Sequence, residues 1–231
     1  MSEKQDKTIE IFNQIADNYD KINNRLSFGI DRIWRKKTIK YLKKFKSENI
    51  LDISAGTGEL TIELAKLNPT EIIAADPSEK MLEIAVKKFD KHNIKAKTTR
   101  CFAENMPFAS DYFNLATCAF GIRNFASLQK GLQETYRVLK PQAIAAIIEF
   151  GMPKNKLWRF FYKFYFNKIL PVRGHKMSKH NFAYSYLNST VNSFPYGKDM
   201  ENIFKENGFE ILKTKAFSGG IAYLYIVRKF A

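Results

Sequence analysis

Between Asn49 and Phe150 short apolar runs alternate with amphipathic stretches, and that alternation leaves few folds open. Residues 49–53 predict a strand closed by the tight turn Ala55-Gly-Thr-Gly58, with a helix over 59–67. A second strand over 71–76 ends at Asp76, and Pro77-Ser78 opens a helix over 79–91. Residues 97–101, 114–119 and 143–150 predict three more strands, with a helix over 127–139 before the last of them. Strands that alternate with helices pair in parallel and carry helices on both faces. Ahead of this core, residues 6–19 and 31–45 read as helices, because apolar residues recur at three and four: Ile9, Phe12, Ile15 and Tyr19, then Ile33, Trp34, Ile39 and Leu42. Residues 197–207 read as a helix, and 210–215 with 221–228 as a closing antiparallel pair. The expected fold is α/β, a doubly wound seven-stranded sheet with an N-terminal helical lid and a C-terminal antiparallel strand.

A length of 231 residues suits one domain. We read four parts in it: a lid over 1–48, a ligand-binding core over 49–150, a basic aromatic cap over 151–198, and a closing helix and strand pair over 199–231. With 45% hydrophobic and 26% charged residues, this is a globular chain rather than a disordered or disulfide-stapled one. The apolar run 143–148 stops at Glu149, too short to span a bilayer, and Met1–Lys7 has no apolar core behind it to make a secretory signal. Cys101 and Cys118 have no metal-ligand spacing and no Cys/His/Asp cluster suggests a metal, so both are expected as free thiols in a reducing cytoplasm.

The charge is less ordinary. The formal net charge is +15, and from Lys154 to Lys198 nine basic residues fall in a segment that holds no acid. A second basic run covers 32–46. Localised positive charge points to a polyanionic partner, whether nucleic acid, an anionic membrane surface or an acidic ligand.

Ligands in such sheets bind at the carboxyl ends of the strands. The first strand–helix turn is Asp52-Ile-Ser-Ala-Gly56-Thr57-Gly58-Glu59, which lacks the G-x-G-x-x-G spacing suited to a pyrophosphate. Its glycines let backbone approach a ligand closely, and the helix start offers free N–H groups. An acid ahead of the glycines suits a cationic ligand, and Asp76 at the second strand end is placed to accept from two ribose hydroxyls. A tight turn with a helix-capping Asp52 is the plain alternative.

The pattern D-x-x-x-G-T-G followed by a strand-end acid resembles the class I S-adenosylmethionine-dependent methyltransferases, which are Rossmann-like. Other motifs narrow the resemblance. Tyr19-Asp-Lys-Ile-Asn-Asn-Arg-Leu-Ser27-Phe-Gly-Ile-Asp-Arg-Ile-Trp34, Ala103-Glu-Asn-Met-Pro-Phe108, Phe120-Gly-Ile-Arg-Asn124 and Tyr136-Arg-Val-Leu-Lys-Pro141 are similar to the menaquinone/ubiquinone biosynthesis C-methyltransferase family. So are Glu149-Phe150 and Tyr186-Leu-Asn-Ser-Thr-Val-Asn-Ser-Phe-Pro195, whose end resembles the menaquinone branch. The chain departs from the family at Asp31 (usually His), Ser54-Ala55, Glu59, Phe102 (commonly Asp or Asn), Ala119 (often Ser) and Pro141-Gln-Ala. The resemblance implies S-adenosylmethionine as cofactor, with Asp52, Gly56, Thr57, Gly58 and Ala119 toward its methionine end. Asp76 would take the ribose, and Pro77, Met81, Phe102 and Ala103 would lie at the adenine. It implies conversion of demethylmenaquinol, a prenylated hydroquinone, to menaquinol at the cytoplasmic face of the membrane. A ubiquinone precursor or another small lipid is the alternative acceptor, and a catalytically impaired protein of the same fold is another.

Methyl transfer from a sulfonium to carbon is an in-line displacement, and holding the reactants in line supplies up to about 7–11 kcal/mol. The acceptor carbon becomes nucleophilic when the adjacent hydroxyl ionises, which costs about 4 kcal/mol for a phenol at pH 7. Arg123 is the expected phenolate stabiliser and Asn124 the group orienting the other oxygen; alternatively Arg123 pairs with an acid to brace its loop. Tyr19 and Asp20 reach the ring from the lid, or Tyr19 simply packs. Asp31 is the expected base if it faces the pocket, or else it N-caps the following helix. His175 and His180 are further candidate bases. Over 157–170 aromatics surround a stripe of Lys156, Arg159, Lys163 and Asn167, as in a helix lying in a membrane interface. A buried cap over the substrate, or a homodimer face, is the alternative. No nucleic-acid partner is expected, since neither an N/D-P-P-Y/F motif nor an RNA-binding module accompanies the charge.

Overall fold

The computed structural model describes residues 3–165 and 181–230. Seven strands form one sheet: β1 (Asn49–Ile53), β2 (Glu71–Asp76), β3 (Lys97–Arg100), β4 (Phe113–Ala119), β5 (Leu139–Phe150), β6 (Phe209–Phe217) and β7 (Ala222–Lys229). Their order is β3-β2-β1-β4-β5-β7-β6, and β7 alone runs opposite to the other six. The helices are α1 (Glu3–Ile15), α2 (Tyr19–Leu26), α3 (Ile30–Leu42), α4 (Glu59–Leu64), α5 (Glu79–Lys91), α6 (Leu128–Val138), α7 (Lys156–Phe164), α8 (Asn181–Ser193) and α9 (Lys198–Glu206). This is the doubly wound, Rossmann-like seven-stranded sheet expected of the pattern. Among the described residues no helix is long and apolar enough to cross a membrane.

Successive strand residues face opposite sides, so one sheet feeds two cores. Leu51, Ile73, Ala116, Ile147 and Tyr225 belong to one, with Leu132 of α6 and Phe204 of α9. Ile50, Ile72, Leu115, Ile148 and Leu224 belong to the other, with Leu64 of α4 and Trp34 and Leu42 of α3. Strands buried on both faces are largely apolar, which is why β1, β2 and β4 read as near-continuous runs, broken toward their carboxyl ends by Asp52, Asp76 and Thr117. Strand order reverses between β1 and β4, and that reversal opens a crevice at their carboxyl ends.

Three local readings change. The expected helix over 6–19 is two: α1 stops at Ile15, a 3-10 turn covers Ala16–Asn18, and α2 begins at Tyr19. The second helix starts at Ile30 with Gly29, in the left-handed region (φ 72°), at its N-cap. β5 starts at Leu139, directly after α6, rather than at 143. Pro141 and Gln142 (φ 63°) lie within an irregular pairing where Phe113 meets Leu139 but Leu115 meets Ile144. A bulge tolerates proline because no ladder donor is needed there. Asn167, His175 and His180 lie outside the described residues.

The tip between β6 and β7 is tied down by two indoles. Trp34 Nε1 donates to Ser218 Oγ and Trp158 Nε1 to Ser218 O, each at 3.1 Å. The lid, α7 and the last hairpin thereby enclose one space.

Candidate active site

The turn after β1 bends through left-handed backbone at Ser54 (φ 54°), Gly56 (φ 54°) and Gly58 (φ 79°). The two glycines serve different ends. A Cβ on Gly58 would lie 2.5 Å from the Phe89 ring, so Gly58 lets the turn pack onto α5. A Cβ on Gly56 would meet nothing within 4 Å, because Gly56 faces the open crevice.

Two buried carboxylates organise this turn. Asp76 accepts the Gly56 N–H at 2.8 Å and the Ser78 N–H at 2.9 Å. Asp52 accepts the Thr61 hydroxyl at 2.6 Å and the Thr117 hydroxyl at 2.8 Å, so it ties β1 to α4 and β4. The capping alternative for Asp52 falls, since Gly58 holds the N-cap position of α4. Burial pushes both carboxyls up to about 6, partly offset by these hydrogen bonds. The folded protein therefore holds protons that the unfolded chain releases. Stability from these two groups is fully present below their ordinary value near 3.8 and is lost as pH rises through about 6. A cationic ligand that donates hydroxyls to Asp76 needs the ionised forms, so its affinity should fall as pH drops through about 6. Calorimetry in buffers of different ionisation enthalpy should show proton release on binding near that pH, reduced in Asp76→Asn.

Three cavities meet above the turn. Gly56, Asp76, Pro77, Phe102, Ala103 and Ala119 line one of 60 Å³, with Met81 on its wall. Asp52, Gly56, Thr57 and Ala119 line a polar one of 30 Å³, together with Asp20, Asp31 and Arg35. Gly58 lines neither. The third is apolar, 580 Å³, and walled by Ile22, Phe28, Trp34, Phe120, Phe150 and Phe161. Tyr19 lines all three and so stands at their junction. Burial pushes its hydroxyl up, against the charges of Arg123 and Arg35 and a hydrogen bond from Asn23.

Arg123 lines the apolar cavity, and it is paired. Its Nη1 lies 2.8 Å from Glu149 Oε1 and 2.5 Å from the Phe120 carbonyl, and its guanidinium sits 5.3 Å over the Phe150 ring. Its Nε is buried without a hydrogen-bond partner. The bracing acid that the sequence left unnamed is Glu149. Asn124 stands apart, on the Asp76 side rather than in the apolar cavity, so it does not face a second acceptor oxygen there. Its Oδ1 too is buried and unpartnered.

Asp31 lines the polar and apolar cavities but is no N-cap, since Gly29 holds that position. It accepts from Ser27 Oγ and Arg35 Nη1, both at 2.5 Å. Burial pushes its carboxyl up, but Arg35 and Ser27 outweigh burial and hold it below the usual range, which weakens it as a base. Asp20 does not reach the apolar cavity. It accepts from Thr57 Oγ1 at 2.6 Å and Lys88 Nζ at 2.6 Å, while Ser78 Oγ donates to Asn13 at 2.6 Å. These bonds fasten the lid over the crevice. Arg35 was not singled out in the sequence, although its i,i+4 spacing from Asp31 is the signal that finds it.

The profile described as the ubiE/COQ5 methyltransferase family matches residues 1–229. The chain belongs to the ubiE/COQ5 methyltransferase family. A demethylmenaquinone methyltransferase of Bacteroides fragilis is 37% identical over 98% of this chain and 94% of its own. A ubiquinone/menaquinone biosynthesis C-methyltransferase of Geotalea uraniireducens is 38% identical over 99% of both. Among solved structures, a possible histamine N-methyltransferase of Thermotoga maritima aligns with a TM-score of 0.66 at 19% identity, covering 95% of this chain and 99% of that one. A methyltransferase of Methanococcus maripaludis aligns at 0.64 and 21%, covering 95% and 94%. At such identities the likeness is one of fold. Like the rest of its family, this ubiE/COQ5 methyltransferase uses S-adenosylmethionine. The crevice suits that cofactor: open space at Gly56, a carboxylate at the end of β2, and the flat Phe102 ring beside it.

Proposed function

We propose that the protein C-methylates a prenylated hydroquinone, converting demethylmenaquinol to menaquinol, and that it collects this lipid from an anionic membrane surface. The observation that carries the reading is the 580 Å³ apolar cavity, which begins at Tyr19 beside the cofactor crevice and includes the surface residues Phe28 and Phe161. A quinol ring at its inner end faces Tyr19 and Arg123, with the prenyl tail along Trp34, Ile22 and Phe150. Bound cofactor supplies a methyl group on a sulfonium. The chain supplies alignment and charge: Arg123 stabilises the phenolate, its Nε–H being the donor without a partner, and Phe150 fixes the guanidinium plane. The names of the Bacteroides fragilis and Geotalea relatives support the quinone class.

Helix α7 supports the membrane part of the reading. Leu157 (68% exposed), Phe160 (65%), Phe161 (53%) and Phe164 (54%) form an apolar ridge, with exposed Lys156 and Lys163 alongside. Arg159 leaves the expected basic stripe, because its Nε donates to the Pro153 carbonyl at 2.7 Å. Aromatics in the acyl boundary with lysines toward head groups fit an interfacial helix, each lysine adding about 1 kcal/mol near an anionic surface.

The direct test is turnover of demethylmenaquinol in phosphatidylglycerol vesicles with S-adenosylmethionine, read by the mass of the product. Turnover only with a ubiquinone precursor would move the protein to the other branch. Phe160→Ser with Phe164→Ser should cut vesicle co-sedimentation by roughly tenfold or more, from about 1.5–3 kcal/mol per phenylalanine, and leave cofactor affinity unchanged. Undiminished co-sedimentation would remove α7 from the docking surface.

A further inference from the structure

Neither the crevice nor helix α7 accounts for the basic run over 32–46. Helix α3, which carries most of it, has two faces. Ile30, Asp31, Trp34 and Arg35 wall the apolar cavity. Arg32, Lys36, Lys37 and Lys40 are exposed and recur at three and four along the outer face, and exposed Lys43 and Lys44 continue the row past its end. Among the described residues the ion pairs of this run are Asp31 with Arg35, which is buried, and Lys46 with Glu48, so no carboxylate pairs with the row itself. Like charges at that spacing destabilise a helix, and a polyanionic partner relieves the cost.

The edge strand β6 widens the row. Exposed Lys213 and Lys215 pair across to Ile226 and Leu224 of β7, which belong to the core beneath α3, so both lysines emerge on the α3 side of the sheet. Lys213 Nζ lies 4.9 Å over the Tyr41 ring and joins the strand to the helix. The row also meets the mouth of the apolar cavity. Phe28, 64% exposed and just ahead of α3, has its ring 5.8 Å from that of Tyr165, the residue after α7.

We propose that the outer face of α3, with the β6 edge, is a second docking surface, that its partner is a layer of anionic phospholipid headgroups, and that it turns the cavity mouth toward the bilayer. The inference rests on the reading of the protein as one that collects its acceptor from a membrane. Headgroup phosphates supply the negative charge that the row lacks, while Phe28 and the α7 phenylalanines enter the acyl boundary beside it. A protein held by α7 alone is free to roll about that helix. Docking through two helices that wall the same cavity removes that freedom and sets which way the mouth points. Nucleic acid also offers phosphates, but it binds where flat rings along the basic surface stack its bases, and the apolar side chain within the row is aliphatic Ile33, 49% exposed.

The test is co-sedimentation with vesicles of phosphatidylglycerol or of phosphatidylcholine at physiological salt. A row variant carries Lys36→Gln, Lys37→Gln, Lys40→Gln and Lys215→Gln. A control variant of equal net charge carries Lys87→Gln, Lys91→Gln, Lys130→Gln and Lys205→Gln, all exposed, on α5 at the β3 edge of the sheet and on α6 and α9 over the other core. At about fivefold per basic residue near an anionic surface, the row variant should bind phosphatidylglycerol vesicles at least about 100-fold more weakly, and the control within about threefold of the wild type. S-adenosylmethionine affinity should hold in both variants, which shows that they are folded. Equal losses in the two variants would reduce the effect to net charge and overturn the proposal, as would undiminished binding by the row variant. In either case the membrane reading stands on the wild type and on α7. A wild type that ignores phosphatidylglycerol vesicles would overturn that reading and the proposal with it. A row variant that keeps the vesicles but loses a single-stranded RNA oligomer bound by the wild type would give the row to nucleic acid and overturn the proposal. Should the row variant fail to fold, Lys36→Gln with Lys37→Gln, expected to weaken vesicle binding about 25-fold, carries the same comparison.

Discussion

Glu149→Ala should destabilise the protein by about 3–5 kcal/mol, the cost of stranding a buried guanidinium without its counter-charge. Arg123 and Glu149 are 7% and 2% exposed at their side chains, and Glu149 also accepts the Phe150 N–H at 2.8 Å. Arg123→Met with Glu149→Gln removes both charges together, and stability should return to within about 1–2 kcal/mol of the wild type. Turnover should not return with it. In the role proposed for Arg123, losing a donor to the developing oxyanion costs on the order of 10²–10³ in kcat. Cofactor affinity in the double variant should stay within about twofold, since Arg123 lines the apolar cavity and neither of the two crevice cavities. Urea unfolding, cofactor titration and turnover on the same three proteins separate these outcomes. An Arg123 variant that loses affinity and turnover equally would have only a structural role.

Asp76→Ala should weaken S-adenosylmethionine binding by roughly 100-fold or more. The substitution deletes the carboxylate we propose as the ribose acceptor and strands the N–H groups of Gly56 and Ser78, each bonded to it below 3 Å. Hydrogen bonds to a charged group are worth about 1.5–3 kcal/mol apiece, and every 1.4 kcal/mol is tenfold in affinity. Asp76→Asn should fare little better, because its amide turns a donor toward one of two donors. An unchanged dissociation constant in Asp76→Ala would mean that the cofactor binds elsewhere.

The sheet and its ligand crevice were legible because strand period, glycine spacing and strand-end acids are local signals. Asp76 lies where such sheets place ligand acceptors, and no distant partner is needed to see it. Helix α2 was hidden: Tyr19–Leu26 is mostly polar, and Ile22 is the buried hydrophobic among its described side chains. The early start of β5 was hidden too, since Pro141 reads as a stop and only the bulge opposite Phe113 makes room for it. Pairing was the larger gap. Arg123 and Glu149 come from the ends of neighbouring strands, and nothing in the spacing of 26 residues announces their contact. The capping alternative for Asp31 fails for a nearer reason, for Gly29 holds that position and Asp31 pairs with Arg35 one helical turn away on the same face. Asn124 follows Arg123 in sequence yet serves a different cavity, because the 3-10 turn Ile122–Asn124 sends successive side chains apart.

The place of β7 between β5 and β6 has a consequence for how the protein is made. A ribosome delivers strands in chain order, but here the central β5 must wait for a strand that emerges after β6. Until residues 222–229 leave the exit tunnel, β5 presents a long apolar edge, and β6 has no sheet to join. Such an edge invites pairing with other nascent chains. Synthesis stalled a few codons before Ala222 would therefore leave a sheet that has its cofactor crevice strands but cannot close, and release at that point should yield aggregates rather than a smaller folded enzyme.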